Sequence, residues 1–104
     1  MIRHVVAWKL AAEDAAERRA QAAKITADLL ALRGVVPSIL DISIGPDVLG
    51  GGNWDLALVA DFADAAGLEA YATHPDHQVV VAYVRSVTAD RVAVDFELSG
   101  SRDR

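Results

Sequence analysis

The hydrophobic pattern changes period along the chain, and this restricts the fold more than any single residue does. Residues 2–10 alternate. Ile2, His4, Val6, Trp8 and Leu10 fall on one face, and Arg3, Val5, Ala7 and Lys9 fall on the other. A period of two is that of a strand. Over residues 13–33 the period lengthens. Ala15, Ala22, Ile25, Leu29 and Leu32 make a helical stripe with Arg18 as its one misfit, and Glu13, Glu17, Gln21, Lys24 and Asp28 make the opposite, wet stripe. The pattern predicts a helix of about five turns, stopped by Gly34.

Period two then returns. Residues 35–46 predict a second strand, with Leu40, Ile42 and Ile44 opposite Ile39, Asp41 and Ser43, and with Pro37 at its start or on an edge. Gly45-Pro46 and Gly50-Gly51-Gly52 mark a loop. Residues 54–62 set Trp54, Leu56, Leu58, Ala60 and Phe62 against Asp55, Ala57, Val59 and Asp61, a third strand and a hairpin partner for the second. Asp64 supplies a cap for a short helix to about Ala72. Residues 79–87 favour a strand by propensity alone. The segment Thr73-His74-Pro75-Asp76 instead reads as a helix start with Thr73 as its cap, and Val80, Val84 and Val87 keep helical spacing. Helix is therefore expected there. The last strand is 91–98, with Val92, Val94, Phe96 and Leu98 opposite Arg91, Ala93, Asp95 and Glu97.

This order predicts an α+β, ferredoxin-like β-α-β-β-α-β fold with a four-stranded antiparallel sheet, its helices on one face. The even-numbered face holds nearly all the large apolar residues and is expected to meet the helices. The odd face mixes Val5, Ala7, Ile39, Ala57, Val59 and Ala93 with charges. That mixture suits self-association and predicts a homodimer packed sheet to sheet, a dimeric α+β barrel. One domain is expected over 1–98, followed by a flexible polar tail at 99–104.

Composition excludes several function classes. With 104 residues, 53% hydrophobic and 24% charged, the chain can bury a core and is one domain. A net charge of −5 is no footprint for nucleic acid. No cysteine is present, so disulfides, thiolate chemistry and Cys-held metals are out. No apolar run approaches a membrane span or a signal peptide, and helix 13–33 has no cationic excess for a membrane surface. A cytoplasmic protein without a membrane or nucleic-acid partner is expected.

The residues that could carry chemistry are few. His4 lies on the apolar face of the first strand. His77 is in the first turn of the last helix, on the side of Val80 and Val84. Tyr71 ends the short helix just before His74. These groups can line one pocket between sheet and helices. A histidine at a helix start in apolar surroundings tends to stay neutral, as a general base requires. A backbone-bonded core histidine and a core tyrosine with its hydroxyl at the rim would account for the same residues without chemistry. His74 and His77 are three apart with Asp76 between them, a set that could hold a metal only weakly; zinc takes three or four committed ligands, and no metal is expected. The glycine triplet lacks the spacing of a phosphate loop.

The opening Ile-Arg-His-Val-Val-Ala-Trp-Lys-Leu, the segment Tyr71-Ala-Thr-His-Pro-Asp-His77 and the closing Val-Ala-Val-Asp-Phe resemble the stress-responsive A/B barrel (Dabb) family over about residues 2–97. The resemblance implies a ferredoxin-like monomer in a dimeric barrel. By analogy with a plant polyketide cyclase of that family, it implies His77 as catalytic base, Tyr71 as its hydrogen-bonding partner and His4 as a pocket residue. It implies no cofactor. Leu56 stands where that cyclase has a further pocket histidine, so a polar wall has become apolar. The expected site is therefore His77 and Tyr71 for catalysis, with His4, Val6, Trp8, Leu56, His74 and Val80 around a small hydrophobic or polyketide-like molecule. A non-catalytic binding or accessory barrel of the stress-response type is the competing expectation. A cofactor-free monooxygenase is the third, and the short chain disfavours heme.

Overall fold

The computed structural model describes residues 1–98; the expected tail, 99–104, lies outside the described residues. The elements run β1 (Ile2–Leu10), α1 (Ala15–Leu30), β2 (Asp41–Pro46), β3 (Leu56–Phe62), α2 (Ala65–Ala72), α3 (Pro75–Val87) and β4 (Thr88–Glu97). The strands form one antiparallel sheet in the order β2-β3-β1-β4. The ferredoxin-like expectation holds, with the second crossover built from two helices.

The core forms where the helical stripe meets the even face of β1, β2 and β3. Val6, Trp8 and Leu10 of β1, Ile42 of β2 and Leu56, Leu58, Ala60 and Phe62 of β3 are buried against Ala22, Ile25 and Leu29 of α1, Tyr71 of α2 and Val80 and Val84 of α3. Ile25 and Phe62 are completely shielded from solvent. Helix α1 is shorter at both ends than its stripe. Asp14 caps it, accepting from the Glu17 amide at 2.9 Å, and it ends at Leu30. Ala15 is exposed, and Arg18, the misfit of the stripe, reaches back to the carbonyls of Ala12 and Glu13. Gly34 is not the helix stop. It sits at φ +85° in the turn that follows, where Leu32 and Val36 are pinned into the core.

Strand β2 begins only at Asp41. Residues 35–40 form the turn, Ile39 packs partly against the core and Leu40 is exposed. Trp54 lies outside β3 and is half-buried, with the Lys9 amine 5.9 Å from its ring. The cap of α3 is His74 rather than Thr73. Its Nδ1 accepts from the Asp76 amide at 3.1 Å, while the Thr73 hydroxyl turns back to the Glu69 carbonyl and closes α2.

Strand β4 presents its two faces the other way round from the expectation. Its register against β1 puts Ala93 opposite Val6, Asp95 opposite His4 and Arg91 opposite Trp8. Partners in an antiparallel pair point to the same side. Arg91, Ala93 and Asp95 therefore face the helical side, and Val92, Val94 and Phe96 face away from it, exposed by 49%, 58% and 42%. Ala93 leaves the outer face and the three apolar residues join Val5, Ala7, Ala57 and Val59 on it. The physical reason is that α2 lies over β1 and β3 while α3 packs against α1 and α2, so no helix covers β4. The inner side of edge strand β4 borders an opening, so polar residues suit it.

Candidate active site

The break between α2 and α3 positions the central pair. Helix α2 ends at Ala72, whose carbonyl has no partner further along its own helix. Pro75 starts α3 in a new direction. One turn into α3, His77 places Nδ1 at 3.2 Å from the Ala72 carbonyl, and the Gln78 side-chain Nε2 donates to the same oxygen. A carbonyl can only accept, so His77 Nδ1 carries the proton and Nε2 holds a free lone pair. The ring of His77 packs against that of Tyr71, with centroids 4.0 Å apart. Tyr71 in turn packs on Phe62, at 5.1 Å, and stands 6.2 Å edge-on from His4. The tyrosine thus lies between two imidazoles.

His4 has its own partner. Its Nδ1 meets the Asp95 carboxylate across the β1–β4 ladder. The carboxylate fixes the tautomer and leaves Nε2 on the other side of the ring. Asp95 is a member of the site that sequence reasoning assigned to the wrong face. Arg91 is the other.

These groups line one pocket of about 710 Å³ between β1, β4 and the helices α2 and α3. That is within the usual span of small-molecule sites, roughly 300–1,000 Å³. Val6, Trp8, Leu58, Leu68, Val80 and Val84 provide apolar walls. His4, Tyr71 and His77 form a polar strip, and Arg85, Asp90 and Arg91 also contribute to the lining. Six of the eight expected residues are thereby brought together: His77, Tyr71, His4, Val6, Trp8 and Val80. Leu56 is buried in the core opposite Trp8 and does not reach the lining. His74 is spent as a helix cap and does not reach it either. Among the described residues no three His, Asp or Glu side chains converge as a metal site.

The electrostatics separate the two central groups. Burial lowers the pKa of His77 below the usual 6.5, aided by the nearby charges of His4, Arg91 and His74 and opposed by the bond to Ala72. A neutral imidazole at physiological pH follows. Burial pushes the Tyr71 hydroxyl up to about 12, although the charge of Arg91 pulls the other way. Tyr71 therefore stays a donor while His77 is an acceptor, the arrangement needed to move a proton and to hold the charge left behind.

Residues 2–98 match the profile of the stress responsive A/B barrel domain. A dimeric ferredoxin-like protein of unknown function from Thermobifida fusca is 34% identical, with 93% of this chain and 90% of that one covered and a TM-score of 0.81. A dimeric protein of unknown function from Bacteroides fragilis, also ferredoxin-like, is 26% identical over 93% and 95%, with a TM-score of 0.88. A hydroxynitrile lyase from Passiflora edulis shares the fold at 16% identity over 96% and 94%, with a TM-score of 0.78. No curated protein matches the chain.

Proposed function

The chain belongs to the stress-responsive A/B barrel domain family, and from that premise we propose that it is a homodimeric barrel whose pocket takes a small hydrophobic or polyketide-like molecule and acts on it, without a cofactor, as a cyclase or lyase with His77 as general base. One observation carries the reading. The Tyr71–His77 pair lies on the pocket wall at 4.0 Å, with the His77 proton committed to Ala72 and its other nitrogen uncommitted.

In the proposed step, His77 Nε2 takes a proton from a carbon next to a carbonyl. The electron pair moves onto the carbonyl oxygen, and the Tyr71 hydroxyl donates to the enolate. The enolate carbon then attacks a second carbonyl of the same molecule. A C–C bond forms, and the resulting alkoxide recovers the proton from His77. General-base catalysis supplies typically 10²–10⁴-fold. The apolar walls fold the chain and bring its two carbonyls together, which supplies the entropic part.

The dimer rests on the outer sheet face. Val92, Val94 and Phe96 are exposed there beside Val5, Ala7 and Val59, and a second sheet laid on that face would cover them. Two relatives are described as dimeric, which supports a dimer for this chain.

The chemistry is tested by deuterium exchange. In D₂O, the protein should speed loss of the methylene proton signal of 1-phenylbutane-1,3-dione above the buffer rate. His77→Gln should return the rate to buffer level and Tyr71→Phe should cut it by about 10²-fold, the lower end of what one lost oxyanion donor costs. Equal rates for wild type and His77→Gln would overturn the base assignment. Saturable binding with no acceleration would make the protein a non-catalytic binding barrel.

A further inference from the structure

The arginines of the described chain divide by partner. Arg3 forms a two-pronged pair with Asp61, at 2.8 and 3.0 Å, and Arg33 meets Asp41 at 3.3 Å. Arg18 clamps two backbone carbonyls, and Arg19 stands on the exposed side of α1. Arg85 and Arg91 meet no carboxylate among the described residues, and both line the pocket. Asp90, the nearest acid in the chain, is turned back onto the Arg91 amide at 2.9 Å and so does not engage the guanidinium. The other acid on this side of β4, Asp95, is engaged by His4.

Arg91 is placed to act on the contents of the pocket. It stands directly opposite Trp8 in the β1–β4 register and on the same side of the sheet as His4. Its charge is felt at both Tyr71 and His77. A guanidinium is always charged, is weakly hydrated and presents a planar fork that fits a carboxylate. The chain as a whole carries −5 and would repel an anion. An unpaired cation at one end of an apolar pocket is thus a local reversal of the protein's field.

We infer that the pocket's ligand is a carboxylate with an apolar body, its head held by Arg91 at the β4 end and its body against Val80, Val84 and Leu58. This rests on the pocket reading above and names the substrate class for it. A ligand so held has a fixed direction, with its anionic end at Arg91 and its interior carbons beside the Tyr71–His77 pair. It also brings a negative charge toward His77, which favours the protonated imidazole.

Octanoate and octanamide test this on the intact protein, with the ring signals of His4 and His77 followed by NMR. Octanoate should bind at least tenfold more tightly than octanamide and should raise the apparent pKa of His77, whereas octanamide should bind without raising it. Arg91→Gln should bring octanoate down to the level of octanamide, with octanamide binding and circular dichroism unchanged. Arg91→Lys should retain part of the preference. Equal affinities for acid and amide, or an octanoate preference that survives Arg91→Gln, would overturn the assignment while leaving the pocket itself standing. Octyl phosphate binding more tightly than octanoate would make the head a phosphoryl group and overturn the carboxylate. No response to any of the three would overturn the pocket reading together with this one.

Discussion

Tyr71 and His77 do different jobs although they touch. Tyr71 is 2% exposed and packs on Phe62, yet among the described residues its hydroxyl has no hydrogen-bond partner. Tyr71→Phe should therefore keep the fold, with a change in urea-denaturation stability below about 1 kcal/mol, the worth of an ordinary hydrogen bond. Tyr71→Ala should cost about 3–5 kcal/mol, as truncating a buried aromatic does. His77 links stability to pH. Its pKa is lowered on folding, so as pH falls through 6.5 the unfolded chain takes up the proton first. Its contribution is then complete above about 6.5 and is lost as pH falls toward the folded value, below which the loss levels off. Urea midpoints measured between pH 7.5 and 5.5 should decline in the wild type, and the decline should be shallower in His77→Gln.

At the scale of elements, what could be read in the sequence depended on whether the pattern or the pairing decided it. Strand β1, helix α1 and strand β3 were legible because one face of each is buried and the period shows it. The helical reading of 79–87 also holds, since Pro75 and the spacing of Val80 and Val84 outweigh the β-propensity of a valine run. The cap was misplaced by one residue because a histidine ring can accept an amide hydrogen bond just as a hydroxyl can. His74→Ala should cost about 0.5–2 kcal/mol in thermal or urea unfolding, and His74→Asp should recover most of it. The faces of β4 were not legible. Alternation names two faces and does not say which meets the helices, and a shift of one residue exchanges them. Pairing with β1 decides it, and so Asp95 and Arg91 were missed from the site. Their signal was there only as a charged residue at each end of the run Arg91-Val-Ala-Val-Asp95, with Ala93 between them on the same side. Of the expected site residues, His77, Tyr71 and His4 line one pocket, while Leu56 stays in the core and His74 serves as a cap, places that depend on local packing and do not show in the spacing.

For the whole molecule, the two sides of the sheet have separate tasks. The helical side encloses the pocket, and the outer side presents Val92, Val94 and Phe96. Among the described residues no helix is long and apolar enough to cross a membrane. The proposed dimer covers the exposed apolar residues of the outer face. Val94→Asp puts a charge opposite Val5 at the centre of that face. It should convert the dimer to monomer in analytical ultracentrifugation while helical content by circular dichroism is retained. A dimer that persists would place the interface elsewhere. On the helical side the fold holds a neutral histidine at the wall of a pocket open to ligand. An NMR pH titration of the His77 ring, with and without 1-phenylbutane-1,3-dione, tests it most directly. The midpoint should lie below 6.5, and the resonances should move when the diketone is added. A ring that neither titrates nor responds to the diketone would show His77 to be a sealed structural residue with no part in catalysis.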